Sequence, residues 1–152
     1  MLDDPYDLNR FLFAQARDYG IALAELRTGA KRSHWMWYVF PQLDGLGYSA
    51  VAKQFSIKSL DEARAYLAHP VLGKRITDCS RAVLQVQDRT ARQIFGTPDD
   101  LKLRSSMTLF AQVSDADAVF HRVLERYFDG APDARTLDLL SAAGHLQDPE
   151  HA

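Results

Sequence analysis

The stretch GAKRSHWMWYVFPQLDGLG, residues 29–47, places a polar, cationic segment directly before the most apolar run of the chain. Both tryptophans lie in that run. "MWYVF" is rich in residues that favour strands, but Ser33 can cap a helix over residues 34–40 and Pro41 can end it. A helix that is apolar on every side is typical of a segment buried all round. We therefore predict a buried helix over residues 34–40, at the centre of the molecule.

The composition limits the classes of protein to which the chain can belong. Its 152 residues are 47% hydrophobic and 25% charged, as is typical of one globular domain. The charges are interspersed and sum to −2, so we expect no nucleic-acid partner. No apolar stretch approaches the roughly twenty residues that span a bilayer, so we expect no membrane contact. The single cysteine, Cys79, and the start "MLDDPYDLNR", which does not resemble a signal peptide, predict a cytoplasmic location.

Helix signals recur along the chain, whereas hairpin signals are rare. Pro5 after Asp4 predicts a first helix that ends at Gly20, and a second helix then ends at Gly29. We predict an all-α fold, a single compact multihelical domain over residues 1–143 with buried central helices, and a polar C-terminal tail over residues 144–152. The remaining helix starts are predicted by a Ser59–Glu62 capping box, Pro70, the run Thr97–Pro98–Asp100, Ser114 and the segment "DARTLDLLSAAG".

The start of the predicted helix over residues 34–40 is a candidate anion site. Its first N–H groups have no partners within the helix and carry the positive end of the helix dipole, so burying them demands an acceptor. With Lys31, Arg32 and Ser33 before it and His34 in its first turn, the segment suits a phosphate or a carboxylate. Solvated cations and a hydrogen-bonded structural histidine are the alternative interpretation.

A second candidate cluster lies in "DDLKLRSSMTLF", where Lys102 shares a helix face with Ser105 and Ser106. A lysine beside two hydroxyls can hold an oxyanion, although serines in a helix also serve to let helices approach closely. Serine catalysis would need a desolvated lysine, and the order of residues differs from that of penicillin-binding proteins. We predict that both clusters line one anion-binding pocket. Its predicted ligand-binding residues are Lys31, Arg32, Ser33, His34, Trp35, Trp37, Lys102, Ser105 and Ser106.

Metal and cofactor sites are not predicted. The five histidines lack metal-ligand spacing, and Cys79 falls within an apolar helix stripe. The segment "GLGYSA" lacks the third glycine and the preceding strand of a dinucleotide-binding motif.

Four motifs resemble the domain-of-unknown-function family 1810, bacterial proteins often mislabelled calpastatin: "KRSHWMWYVFPQLDGLG", "HPVLGKRI", "IFGTPDDLKLRSSMTLF" and "FDGAPDARTLDLL". The resemblance runs from about Leu8 to about Leu140. It implies a compact multihelical fold with buried central helices and no established activity. The calpastatin label does not fit, because calpastatin repeats are disordered and this composition is that of a packed globule. A fainter similarity links the chain to the NADAR family of N-glycosidases, which act on ADP-ribose-like or riboflavin-precursor substrates.

Three functions stay open at this point. We expect a pocket that binds a small phosphorylated ligand, nucleotide-like or ADP-ribose-like. The first alternative, by analogy with NADAR proteins, is an N-glycosidic-bond hydrolase of a nucleotide-derived substrate in which Asp99 or Asp100 assists water. The second is a protein-interaction module, which requires an exposed apolar patch. The sequence leaves open whether the chain is an enzyme and whether it self-associates.

Overall fold

The computed structural model describes residues 3–144 and confirms the all-α fold, with nine helices and no strand in that range. An isolated parallel bridge joins Leu43 to Ile57. None of the helices in this part of the chain combines the length and the apolar character needed to cross a bilayer. Of the predicted tail, residues 145–152 lie outside the described residues. The helices are α1 (Asn9–Thr28), α2 (Met36–Val39), α3 (Ala50–Gln54), α4 (Leu60–Ala68), α5 (Leu72–Gln85), α6 (Ala91–Phe95), α7 (Asp99–Ala111), α8 (Val119–Phe128) and α9 (Ala134–Ala142).

Helix α1 is continuous where the sequence predicts two helices. Gly20 lies within it, on the exposed side, and does not end it. Gly29 does end it, with a left-handed φ of 76°. The predicted N-terminus is too early: Pro5 lies in a turn, and the carboxylate of Asp4 accepts hydrogen bonds from two backbone N–H groups at the start of the helix. The packing of the whole helix outweighs the weak breaking tendency of one glycine.

Helix α2 is a single turn, shorter than the predicted helix over residues 34–40. Its N-cap position is Trp35, which makes no side-chain capping bond, and not Ser33. His34 lies before the helix and is exposed. The predicted central burial is nevertheless observed, because Trp35, Met36 and Phe40 are almost fully buried. The run is therefore an interior segment with one helical turn, and α2 packs against α1.

Local capping signals explain most of the other helix boundaries. Ser59 accepts a hydrogen bond from the backbone N–H of Glu62, as predicted, but the Glu62 carboxylate accepts from the N–H of Lys58 instead of completing the box. Helices α3 and α6 are not predicted from the sequence, although Thr90 forms a complete capping box at the start of α6. Ser114 does not cap a helix: α8 begins at Val119, whose N–H donates to the carboxylate of Asp117.

Two helices organise the core. The apolar stripe that contains Cys79 lies on α5, where it is buried from Leu72 to Val83 and faces inward. Helix α7 packs against α4, α6, α8 and α9, and its residues 105–110 are all buried, so it is a central helix of the fold. Because α7 carries Lys102 and Ser105 in its first two turns, the core fixes the orientation of the second candidate cluster.

Candidate functional site

The predicted anion site before α2 is occupied by a carboxylate of the chain itself. Glu25, in the last two turns of α1, accepts hydrogen bonds from the backbone N–H groups of Arg32 (2.9 Å) and Ser33 (3.0 Å). It also accepts from Ser33 Oγ (2.6 Å) and from Trp35 Nε1 (2.9 Å). The donors that the sequence assigned to a bound anion are therefore used within the fold.

These contacts keep Glu25 ionised. Burial by itself raises the pKa of a carboxyl group, but the four hydrogen bonds from Ser33, Arg32 and Trp35 outweigh it and lower the pKa of Glu25 from 4.5 to about 2. Glu25 is therefore negatively charged at neutral pH. It acts as the acceptor that the buried segment requires.

The two predicted clusters meet in space, at Asp99. Nζ of Lys31 lies 2.8 Å from Oδ2 of Asp99, and Nζ of Lys102 lies 3.5 Å from Oδ1. The backbone explains this meeting, because the N–H of Lys31 donates to the carbonyl of Ile94 at 2.8 Å and so fixes residue 31 beside α6, just before α7. The acidic partner of both lysines is thus a side chain of the protein.

Each lysine also lies against one of the two tryptophan rings. Nζ of Lys31 is 5.0 Å from the ring centroid of Trp35, and Nζ of Lys102 is 5.1 Å from that of Trp37. The first pair is interior: the Lys31 side chain is 6% exposed and its Nζ donates to the carbonyl of Ser33 at 2.6 Å. The second pair is at the surface, since Lys102 is 24% exposed and Trp37 is only partly buried.

The Lys102–Trp37 pair lines a cavity of about 420 Å³, which we name the Trp37 cavity. It lies between the loop after α2, the first turns of α3 and α7, and the residue that caps α9. Three of the nine predicted ligand-binding residues line it: Trp37, Lys102 and Ser105. Lys31, Arg32, Ser33, His34, Trp35 and Ser106 are not among its lining residues. The other lining residues are Gln42, Leu46, Gly47, Tyr48, Ser49, Ala52, Pro98, Leu101 and Asp133.

Several polar groups of the Trp37 cavity make no hydrogen bond within the described part of the chain. Within residues 3–144, neither the carboxamide of Gln42 nor the ammonium of Lys102 makes a hydrogen bond, and the nearest carboxylate to Lys102 is that of Asp99. Asp133 accepts from the N–H and the hydroxyl of Thr136 through Oδ2, which leaves Oδ1 available. A small number of convergent polar groups among apolar walls is typical of a ligand site.

The rim of the cavity is apolar and exposed. Tyr48 is 82% exposed and Leu101 is 52% exposed. Gly47 lets the loop approach α3 closely, because a Cβ atom there would lie 2.6 Å from Cβ of Ala52. Tyr48 is not among the predicted ligand-binding residues, because "GLGYSA" was compared only with a dinucleotide-binding motif. No local pattern distinguished Gln42 or Asp133.

The two serines of the second cluster and the two aspartates predicted to assist water are engaged mainly within the fold. The hydroxyl of Ser105 donates to the carbonyl of Leu101, as helix serines commonly do. Ser106 is fully buried, and its hydroxyl has no partner among the described residues. Asp99 contacts the two lysines and Asp100 accepts from the hydroxyl of Thr97, so neither carboxylate lines the Trp37 cavity. Residues 3–144 contain no group of three or more His, Cys, Asp or Glu side chains that could hold a metal ion.

Comparison with known proteins shows the family to which the chain is similar. A family model described as "Protein of unknown function (DUF1810)" matches residues 5–140. The crystal structure of the conserved hypothetical protein Rv1873 from Mycobacterium tuberculosis is 54% identical to this chain, with a TM-score of 0.89. That match covers 91% of this chain and 99% of the other. A search of the curated proteins found no match.

Proposed function

The chain belongs to the DUF1810 family of proteins of unknown function, and we propose that it binds a small nucleotide-like ligand, with a planar ring and an anionic group, in the Trp37 cavity. The observation that carries this proposal is a set of polar groups that line the cavity and make no hydrogen bond within residues 3–144, although the ammonium of Lys102 is ion-paired with Asp99. The ammonium of Lys102, the carboxamide of Gln42 and Oδ1 of Asp133 all belong to it.

The size and the walls of the cavity fit such a ligand. Pockets for small molecules usually measure about 300 to 1,000 Å³ and combine apolar walls with a few polar groups. The exposed ring of Tyr48 and the side chain of Leu101 offer apolar surface for a planar ring at the rim. Lys102 supplies the charge that attracts a phosphate, and its ammonium is oriented by the ring of Trp37.

The two alternative functions have weaker support. The hydrolase alternative assigns its carboxylate to Asp99 or Asp100, and neither of them lines this cavity. The carboxylate that does line it, Asp133, caps α9 through Oδ2. An interaction module needs a contiguous apolar patch. Five large hydrophobic side chains are exposed in the described part of the chain, and two of them, Tyr48 and Leu101, belong to the cavity. A small-molecule site in the Trp37 cavity explains why the side chains of Tyr48 and Leu101 are exposed.

A ligand screen tests the proposal. We expect a nucleotide such as AMP to raise the melting temperature of the protein more than adenosine or ribose 5-phosphate does, because only AMP provides both the ring and the anion. A ligand at a hundred times its Kd stabilises a fold by about 2.7 kcal/mol, which is readily detected. The proposal fails if no nucleotide, ADP-ribose or sugar phosphate raises the melting temperature.

A pair of lysine variants locates the site. Lys102→Ala should weaken binding of the best ligand about ten-fold or more, as expected for a lost charge-assisted hydrogen bond. Lys53→Ala is the matched control, because Lys53 is an exposed lysine next to the lining residue Ala52 but does not itself line the cavity. Equal Kd values for Lys102→Ala and the parent, measured by titration calorimetry, would place the ligand elsewhere.

A further inference from the structure

We infer that the anion position beside Lys102 takes a group with a single negative charge, such as a phosphodiester or a carboxylate, in preference to a doubly charged phosphomonoester. We also infer that Asp99 is the residue that determines this preference. The inference rests on the proposed function, because it concerns the same cavity and names the class of anion that the cavity accepts.

The charges around Lys102 support a single anionic charge. Lys31, Asp99 and Lys102 form one continuous group, with Nζ to Oδ distances of 2.8 Å and 3.5 Å, and their formal charges sum to +1. Lys31 is buried and is not a lining residue of the cavity, so its ammonium compensates Asp99 and does not reach a ligand. A bound anion therefore meets one ammonium, which has a carboxylate 3.5 Å away that does not line the cavity.

The rest of the lining adds no second cation. Among the described lining residues, Lys102 is the single basic side chain, and Asp133 contributes another carboxylate. A singly charged group balances the charge of +1 on Lys31, Asp99 and Lys102 taken together, and Asp133 opposes any further negative charge. The second charge of a phosphomonoester would lack a cationic partner and would be repelled by Asp99 and Asp133.

The position of Asp99 also has a structural explanation that an experiment must separate from this role. Asp99 is in the first turn of α7, where a carboxylate is favoured by the helix dipole, and it neutralises the buried Lys31. A loss of binding in an Asp99 variant would not distinguish the two roles. A change in the ratio of affinities for two ligands that differ only in charge does distinguish them.

The test therefore uses AMP and its methyl ester. At about pH 8 the phosphomonoester of AMP is doubly charged, because its second pKa is about 6, whereas the methyl ester carries one charge. Adenosine 5′-carboxylate is a second singly charged probe and separates phosphodiester from carboxylate recognition. We expect the parent protein to bind at least one of the two singly charged probes more tightly than AMP, by titration calorimetry.

Asp99→Asn raises the net charge of the group to +2. We expect this variant to bind AMP more tightly relative to the singly charged probes, with the ratio of their Kd values changed by on the order of five-fold. This is the effect of one partly exposed charge. The double variant Asp99→Asn with Lys31→Met returns the net charge to +1 and should restore the ratio of the parent. If Asp99 acts only through structure, the additional removal of the Lys31 charge would not restore the ratio of Kd values.

The outcomes separate this inference from the proposed function. If no probe binds the parent protein, both fail. Suppose instead that the probes bind and that Lys102→Ala weakens their binding. Only the inference fails if AMP then binds as tightly as both singly charged probes, or if the ratio of Kd values is the same in Asp99→Asn as in the parent. If Asp99→Asn does not fold, Lys31→Met replaces it in the test. This variant lowers the net charge of Lys31, Asp99 and Lys102 to zero, so it must shift the ratio of Kd values further towards the singly charged probes. An unchanged ratio there would also overturn the inference.

Discussion

The indole Nε1 of Trp35 donates a 2.9 Å hydrogen bond to the carboxylate of Glu25, ten residues earlier in the chain. The side chain of Trp35 is fully buried, so its indole N–H needs an acceptor at the edge of the interior, and Glu25 is that acceptor. Because the same carboxylate accepts the N–H groups of Arg32 and Ser33, α1 holds the whole segment that leads into α2. This segment carries Lys31, so the contact also positions the charged group beside the Trp37 cavity.

Glu25→Ala should lower the free energy of unfolding by about 3 kcal/mol, because it leaves the indole N–H and nearby backbone donors without an acceptor. Urea denaturation measures this change. Glu125→Ala is the control, since Glu125 is an exposed glutamate of α8 that forms no ion pair in the described structure. Equal unfolding midpoints for the two variants would contradict the structural role of Glu25.

The contribution of Glu25 to stability should depend on pH. Its pKa is about 2 in the folded protein against an ordinary value of 4.5, so the folded state binds the proton less readily than the unfolded state. The contribution is therefore fully present above about pH 4.5 and is lost as the pH falls towards 2. The difference in free energy of unfolding between the parent and Glu25→Gln should narrow between about pH 6 and about pH 3. A constant difference across that range would contradict the lowered pKa.

The two tryptophans should respond differently to truncation. Trp35→Ala is expected to destabilise the fold by about 3 to 5 kcal/mol, as for a large core side chain. Trp37→Ala should destabilise it clearly less, because Trp37 is only partly buried, but should weaken ligand binding because its ring lines the cavity. Urea denaturation and calorimetric titration of the same two variants check both parts. Equal destabilisation by the two variants would assign Trp37 to the core.

Two glycines within helices offer a matched pair of substitutions. A Cβ atom at Gly73 would lie 2.0 Å from the carbonyl oxygen of Leu67, so α4 and α5 would have to separate. Gly73→Ala should therefore destabilise the protein by about 2 to 3 kcal/mol. A Cβ at Gly20 meets nothing within 4 Å, and Gly20→Ala should stabilise α1 by about 1 kcal/mol. Thermal unfolding of both variants tests this contrast, which fails if the two shifts have the same sign.

Periodicity and capping chemistry determined the helical content of this protein. The apolar spacing from Leu72 to Val86 predicts the inward face of α5. The Thr97–Pro98–Asp100 run predicts the start of α7 to within one residue. The burial of the run around Trp35 follows from its apolar composition alone. These features depend on residues within a few positions of one another, where side-chain spacing fixes which groups share a face.

Only the tertiary structure decided which groups neutralise the cations and donors of the two clusters. The sequence indicated that the segment before α2 needs an anion, but packing supplies that anion as Glu25 from α1 and brings Asp99 between Lys31 and Lys102. The polar groups of the Trp37 cavity likewise come from the loop after α2, from α7 and from the start of α9. Partners far apart in sequence are selected by how helices pack. For that reason local patterns show that a charge must be balanced but do not show by which residue.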